Sequence, residues 1–273
     1  MRHTLSILFL MLLFAACGND AKPVKEVKTK AESKPERVFE TIEEVKPFTE
    51  FRAFWNYYTS NIKLNEDFLG YDKKHERISK TKFLNLLATG NYQPVVINPT
   101  DSIRYQLKPS PPKADGFISD YMKKFAREQL VFYHREGRPL PEFSFKTITG
   151  VKYTSENTKG KVLLIKCWFV ACVPCAQEMP ELNEMVESYG NRKDIIFLSL
   201  ATDDEGPVKG FLKKTKFTYQ TVARQGSYMT NKLNVTAYPT HFLVNKKGQL
   251  YKVANDVAEV KVFLERILKE GNM

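Results

Sequence analysis

The pattern of apolar and polar positions divides the chain into a short apolar start, a polar stretch and two segments with regular periodicity. The apolar run from Leu5 to Leu13 is followed by a stretch rich in Lys, Glu, Val, Pro and Thr that has no sustained apolar periodicity. Such a composition cannot bury enough surface to order itself. The pattern predicts four parts: a signal peptide over 1–16, a flexible tether over 17–46, an α+β region over 47–137, and a C-terminal domain over 138–273.

Residues 47–137 carry enough aromatic side chains for a small core, and their spacing predicts three helices and a hairpin. Thr49 is the expected cap of the first helix, the second helix stops before Gly90, and the third ends at Gly137. Between the last two, Tyr92 to Leu107 is extended and predicts the hairpin. The aromatic stripe at helical spacing is typical of core packing, with a binding groove as the alternative, and this region matches no family that we recognise.

From residue 138 onward the signals become sharper. Continuous apolar runs predict buried strands over 162–169 and 195–200, and a helical pattern follows the first of them. A hairpin is expected over 240–253, and an amphipathic helix over 257–268 closes the chain. Alternating strands and helices followed by a hairpin and a helix predict an α/β architecture, in which a mixed sheet has helices on both faces.

Two cysteines lie at the start of the helix that follows the first buried strand. Cys172 and Cys175 are two residues apart, and Pro174 between them suits a first turn because it needs no N–H partner there. Unpaired N–H groups and the helix dipole at this position favour a thiolate over a thiol, and the thiolate is the form that attacks disulfides. Cys172 is therefore the expected nucleophile, and Cys175 is placed to resolve a mixed disulfide.

The first residues are typical of an export signal. A short basic start precedes the apolar run, and Phe14-Ala15-Ala16 come directly before Cys17. The run is too short to span a bilayer and suits a secretory signal. Small residues before a cysteine resemble the lipobox of bacterial lipoproteins, which makes Cys17 the expected lipidated residue; an ordinary signal peptide cut near Ala16 is the alternative. Both predict an exported protein, and the lipid adds a membrane anchor.

The motifs around the cysteine pair resemble the TlpA/ResA-like branch of thioredoxin-fold thiol–disulfide oxidoreductases, within the redoxin superfamily. The resemblance covers roughly Arg138 to Lys269. It rests on these pieces in this order: a Pro-x-Phe segment at 141–143, Gly160-Lys161 before the strand, Trp168, Cys172-Val-Pro-Cys175, Glu178-Met-Pro-Glu-Leu182, and Tyr238-Pro-Thr-His-Phe-Leu243. A lone C-x-x-C is a weak signal, whereas the whole series is specific.

The resemblance implies roles for several further residues. Pro239 is expected to be cis and to pack against the cysteines, and Tyr238 is expected to offer backbone hydrogen bonds to an extended client segment. Trp168 is counted with these two as a substrate-binding residue. Glu178 matches a family glutamate proposed to move protons near the resolving thiol, and partial burial would raise its pKa; its alternative role is to complement the helix dipole.

The chain departs from the family pattern at a few positions. Ala171 replaces a frequent tryptophan, which predicts a more open site, and Val173 lies between the cysteines, where residue type helps to set the redox potential. Tyr238 occupies a position where threonine or valine is common. Cys167 is an additional thiol on the buried strand, expected to be an inert core residue, with a third redox partner as the alternative.

Composition and spacing exclude several other classes of function. The 273 residues carry a formal net charge of +11, to which the lysines of the tether contribute, but the pattern gives no indication of nucleic-acid binding. No metal site is expected, because a second C-x-x-C or a histidine pair near Cys172 is missing, and His75 and His134 are isolated. Haem attachment would need a histidine after Cys175, where Ala176 lies.

The sequence therefore predicts an exported enzyme that exchanges dithiol for disulfide in other envelope proteins. The only redox group is the Cys172–Cys175 pair, with no cofactor. Expected partners are protein thiols and disulfides, a membrane electron donor, and the membrane through Cys17. The family resemblance favours the reducing direction, with cytochrome c maturation as one client pathway. The alternatives are a non-catalytic binding or assembly protein that uses residues 47–137, and a thiol peroxidase, although Phe169 occupies the position of the expected peroxidase threonine.

Overall fold

The computed structural model describes residues 45–97, 102–190 and 192–270 of the chain. The predicted signal peptide, the lipidation site at Cys17 and nearly all of the tether therefore lie outside the described residues. All of the described residues belong to one compact unit. No helix in the described ranges combines the length and the apolar character needed to cross a bilayer.

The first half of this unit is a four-stranded sheet with three helices. The helices are α1 (Phe51–Asn61), α2 (Lys80–Leu87) and α3 (Gly116–Arg135), and the strands are β1 (Leu69–Tyr71), β2 (Arg77–Ile78), β3 (Tyr92–Val96) and β4 (Arg104–Pro109). The strand order is β2-β1-β4-β3, in which β1 and β4 are parallel and the other pairs are antiparallel. The three predicted helices and the β3–β4 hairpin are confirmed, while the short strands β1 and β2 have no clear sequence signal.

The first helix differs from its predicted start. Its N-cap is Glu50, which makes no side-chain capping bond, and the carbonyl of Thr49 instead accepts the backbone N–H of Asp115 at 2.8 Å. The prediction of a Thr49 cap was therefore wrong, because this residue joins α1 to the start of α3. Gly90 and Gly137 end α2 and α3 with φ of 76° and 74°, a conformation that glycine adopts without strain.

The second half is a five-stranded mixed sheet with flanking helices and a small hairpin. Its strands are β5 (Ser144–Lys146), β6 (Lys152–Thr154), β7 (Val162–Trp168), β8 (Ile195–Ala201), β9 (Gln220–Val222), β10 (Thr240–Val244) and β11 (Leu250–Ala254). Its helices are α4 (Val173–Gln177), α5 (Met179–Tyr189), α6 (Glu205–Leu212), α7 (Val257–Glu270) and a π-helical turn over Tyr228–Lys232. The large sheet has the order β11-β10-β7-β8-β9, and β5 pairs with β6.

The centre of this sheet is β7, and every one of its residues is buried. It runs parallel to β8 and antiparallel to β10, as the thioredoxin-like mixed sheet requires. Leu163, Ile165 and Cys167 pack into one core, while Leu164 packs on the other face against α5 and α7. A strand covered on both faces has no polar alternation, which is why it appears in the sequence as one apolar run.

Contacts between the two halves are both apolar and polar. Phe132 of α3 is 3% exposed and packs edge-on against Phe242 of β10, with 5.8 Å between the ring centroids. Buried Asn65 donates from Nδ2 to the carboxylate of Glu259 at 2.6 Å and to the carbonyl of Val253 at 3.1 Å. The predicted boundary between residues 137 and 138 stays a prediction, and these contacts show that both halves share packed surface.

Candidate functional site

The cysteine pair lies immediately after β7, at the start of α4. Cys172 is the N-cap of this helix, and its sulfur accepts the backbone N–H of Cys175 at 3.2 Å. Pro174 lies in the first turn, as the sequence predicts. The two cysteines form a disulfide with 5.2 Å between their Cα atoms.

The two cysteines are both buried and differ slightly in exposure to solvent. Cys172 is 4% exposed and Cys175 is 0% exposed, while Val173 beside them is 66% exposed. A reagent or client approaching from solvent therefore meets Cys172 first. This difference agrees with the roles that the sequence predicts for the two residues.

The residues just before β10 form one wall of the site. The peptide bond between Tyr238 and Pro239 is cis, as the resemblance implies. The ring of Tyr238 packs edge-on against Phe169, with 5.4 Å between the centroids, and belongs to the same apolar cluster as the cysteines. Tyr238 and Val173 thus flank the disulfide with apolar surface.

Trp168 does not lie on this surface. It is fully buried and packs against Phe211 and Phe217, with ring centroids 5.3 and 6.3 Å away. The predicted substrate contact at Trp168 needs correction, because the side chain has no exposed area to offer a client. We assign it to the core that supports the cysteine turn.

Glu178 occupies the junction between two short helices. It is the C-cap of α4 and the N-cap of α5, where the sequence pattern alone predicts one continuous helix. Pro180 explains the break, because a proline tolerates the first turn of a helix but not its interior. The Glu178 side chain is 14% exposed and points to the sheet.

Two buried basic residues meet the Glu178 carboxylate. The Lys166 ammonium of β7 forms a salt bridge and hydrogen bond with Oε2 of Glu178, and Nε2 of His241 on β10 lies 3.1 Å from the same oxygen. Because a carboxylate only accepts, Nε2 carries the hydrogen of the histidine bond. Lys166 and His241 are direct cross-strand partners, and their side chains are both 0% exposed.

This arrangement reverses the predicted effect on the acid. Burial alone would raise the pKa of Glu178, but the hydrogen bonds and charges of His241 and Lys166 outweigh burial and lower the pKa. Burial lowers the pKa of Lys166 and of His241, and in both cases Glu178 opposes the change. The predicted rise in the Glu178 pKa is therefore corrected: the carboxylate is held ionised.

Neither basic partner was singled out in the sequence. A lysine inside the apolar run Leu163–Cys167 and a histidine inside the strand after Pro239 were the available signals. Buried lysines and histidines need compensating groups, so both residues called for a partner. The partner could not be chosen, because the pairing depends on the register between β7 and β10.

Cys167 is the remaining thiol in the described ranges. It is buried, makes no disulfide, and faces the core on the other side of β7 from Lys166. Burial raises the pKa of this thiol, which keeps it protonated and unreactive. Within the described residues, no group of three or more His, Cys, Asp or Glu side chains is arranged to hold a metal ion.

Part of the chain is similar to a known family and to known proteins. The sequence model of the Redoxin family matches residues 135–266. The chain is 28% identical over 121 residues to thioredoxin-like protein YneN of Bacillus subtilis, which covers 44% of this chain and 71% of that protein. It is 28% identical over 153 residues to thiol-disulfide oxidoreductase ResA of Bacillus cereus, which covers 55% of this chain and 84% of that protein.

A solved structure is similar to about half of the chain. The thiol-disulfide oxidoreductase from Bacteroides fragilis is 20% identical, with a TM-score of 0.44, and the match covers 47% of this chain and 98% of that one. The Redoxin match begins at residue 135, at the end of α3, and therefore leaves out strands β1 to β4.

Proposed function

Residues 135–266 are a redoxin domain of the TlpA/ResA-like, thioredoxin-fold type, and from this premise we propose that the chain reduces disulfides of other proteins through Cys172 and Cys175. The proposal is supported by the matching thiol–disulfide oxidoreductases and by the position of the disulfide at the start of α4. The single observation that carries it is a disulfide at the N-terminus of α4 that joins Cys172, which is 4% exposed, to Cys175, which is fully buried.

The reaction begins with the reduced pair. The thiolate of Cys172 attacks one sulfur of a client disulfide, so that a mixed disulfide forms and the other client sulfur leaves as a thiolate. Cys175 then loses its proton and attacks the Cys172 sulfur. The enzyme disulfide forms, the second client sulfur is released as a thiolate, and two electrons have passed to the client, whose two thiolates take up protons from solvent or from the group that accepted the Cys175 proton.

Glu178 is proposed to receive the proton of Cys175. It follows Cys175 by three residues at the end of the same helix, and such residues share one face. Because the carboxylate is held ionised, it is in the form that can accept a proton. A positioned base of this kind contributes about 10²–10⁴-fold to a rate.

The setting of the reaction follows from the predicted targeting segment. We propose that the protein is exported and tethered to a membrane by a lipid at Cys17, with protein thiols of the envelope as clients and a membrane electron donor as reductant. Cis-Pro239 and Tyr238 are proposed to bind an extended client segment through the backbone. Cytochrome c maturation is one pathway in which such clients occur.

The first test is the reduction potential of the pair in the protein without residues 1–16. A reversible two-electron couple near the thioredoxin value of about −270 mV supports a reductase, whereas about −120 mV would make the same pair an oxidant. Absence of a reversible couple would contradict the enzyme and favour a non-catalytic binding protein.

The roles of the two cysteines are tested by trapping. Cys175→Ser is expected to accumulate mixed disulfides with clients through Cys172, while Cys172→Ser forms none and loses reductase activity. Cys167→Ser is the matched control, since its thiol is buried and protonated, and it should keep full activity. Adducts mapped to Cys167 by mass spectrometry would show that the roles are assigned incorrectly.

A further inference from the structure

The proposed mechanism leaves two buried basic residues without a role. Lys166 lies on β7 two residues before Trp168, and His241 lies opposite it on β10. Both side chains are completely buried, and both bond to one oxygen of Glu178. Burying a charged lysine carries a large desolvation penalty, so the position needs a physical reason.

Stability is a poor reason for this arrangement. Buried ion pairs are often matched or exceeded in stability by apolar side chains of similar volume. The rest of the cluster also contains unsatisfied groups: within the described residues, Nδ1 of His241 and the hydroxyl of Tyr219 are buried without a hydrogen-bond partner. A site built only for stability would have no need of these polar atoms.

The charges around the carboxylate are few and can be named by element. Lys166 faces Glu178 from β7 and His241 from β10. Tyr219, just before β9, is affected by the Glu178 charge, Cys167 adjoins Lys166, and Asp256 before α7 acts on His241 from a distance. Lys166 is thus the cation that compensates Glu178 directly.

We propose that Lys166 and His241 are positioning residues that hold the Glu178 carboxylate ionised and in a fixed orientation at the end of the helix that carries the resolving thiol, so that Cys175 can lose its proton near neutral pH. The inference rests on the proposed function and deepens it. Neither residue touches the client. Lys166 supplies the balancing positive charge, and His241 fixes the orientation of Oε2 through its Nε2–H.

The proton balance is simple. When Cys175 attacks the Cys172 sulfur, its proton passes to Glu178, and Lys166 remains protonated throughout. The resulting neutral carboxylic acid returns the proton to the departing client thiolate or to water. Before this step the cluster holds one positive and one negative charge, and without Lys166 the carboxylate and the forming thiolate would be two uncompensated negative charges.

The test isolates this second step from any natural client. Reduced protein is mixed rapidly with 5,5′-dithiobis(2-nitrobenzoate), and the coloured thiolate is followed over a range of pH. Attack by Cys172 releases the first nitrothiobenzoate, and attack by Cys175 on the mixed disulfide releases the second. The rate of the second release against pH gives the midpoint for ionisation of the resolving step.

Lys166→Met is expected to raise this midpoint by about one pH unit or more, which is about a tenfold slower second release below the midpoint. His241→Leu is expected to raise it as well, whereas His241→Gln retains an N–H near Nε2 and should restore most of the wild-type profile. In a Glu178→Gln background, Lys166→Met should have less than a third of its effect, because the lysine acts through Glu178.

The matched control is Lys252→Met. Lys252 on β11 is likewise a buried lysine, 4% exposed. Its ammonium, however, pairs with the carboxylates of Asp67 and Glu136, each at 2.9 Å. This variant is expected to lower stability and leave the pH midpoint unchanged. If Lys166→Met fails to fold, the comparison of His241→Leu with His241→Gln still tests the proposal.

Three results would overturn the inference: an unchanged midpoint in Lys166→Met, an equal shift with and without Glu178, or His241→Gln behaving like His241→Leu. A wild-type protein that releases no second nitrothiobenzoate would be a different outcome. It would show that the dithiol reaction itself does not occur, and so would contradict the proposed function.

Discussion

The packing of α3 against the redoxin core allows a quantitative test of how the two halves depend on each other. Phe132 lies near the end of α3, is 3% exposed, and belongs to the core that contains Phe242, Ile165 and Leu198. Phe132→Ala removes the ring from this core. The change leaves the cysteines, Glu178 and its partners untouched.

The magnitude follows from the burial. An aromatic side chain buries about 150–250 Å², and at about 25 cal/mol per Å² this is an upper estimate of about 4–6 kcal/mol. Measured Phe→Ala changes in cores are about 3–5 kcal/mol, and the spread reflects how far the neighbouring side chains relax into the cavity. We therefore expect Phe132→Ala to lower the free energy of unfolding by about 3–5 kcal/mol.

Urea unfolding followed by far-ultraviolet circular dichroism and by fluorescence measures this loss. The matched control is Phe117→Ala, since Phe117 lies on the same helix but is 71% exposed and should change stability by less than about 0.5 kcal/mol. A loss below about 1 kcal/mol for Phe132→Ala would refute the argument. Separate unfolding transitions for the two probes, with only the first half of the protein destabilised, would also refute it, because α3 would then not be part of the second core.

Two further predictions concern a close contact and an ion pair. Gly70→Ala is expected to destabilise the protein by about 1–3 kcal/mol in the same urea assay, because the added Cβ would lie 2.8 Å from the Phe83 ring. Gly210 lies inside α6, and a Cβ added there would meet nothing within 4 Å. Gly210→Ala should therefore stabilise the protein by about 0.5–1 kcal/mol. Because the folded-state pKa of Glu178 lies below its ordinary value, its ionisation contributes stability that is present above the ordinary pKa and is lost as the pH falls through the folded-state pKa. As the pH is lowered below about 4.3, the thermal stability of Glu178→Gln should therefore fall less steeply than that of the wild-type protein. Equal slopes in the two proteins would contradict the lowered pKa.

The buried Lys166–Glu178 pair and the Cys172–Cys175 disulfide are held by neighbouring elements of one sheet. β7 supplies Lys166 and leads into the cysteine turn, while β10 supplies His241 directly after cis-Pro239. The same two strands therefore position the charge cluster and the wall of the site. A change in the pairing register of β7 and β10 would therefore disrupt the charge cluster and the wall of the site together.

Local patterns in the sequence were sufficient for most of the elements and for the reactive pair. The run Val162–Trp168 and the amphipathic spacing of α7 depend only on neighbouring residues, and both were predicted nearly to the residue. Cys172 and Cys175 were identifiable because their spacing on one helical turn is itself the reactive feature. The two-residue strand β2 was not predicted, since so short a segment has no periodicity to detect.

The tertiary structure alone decided which buried charges meet. Asn65 and Glu259 bond across 194 positions of sequence, and His241 meets Glu178 across 63. Such pairs are set by strand register and by how helices and loops pack on the sheet, which no local pattern encodes. The pKa of Glu178 changes direction for the same reason: burial could be expected from its helix, but the lysine and the histidine whose interactions outweigh burial arrive from other strands.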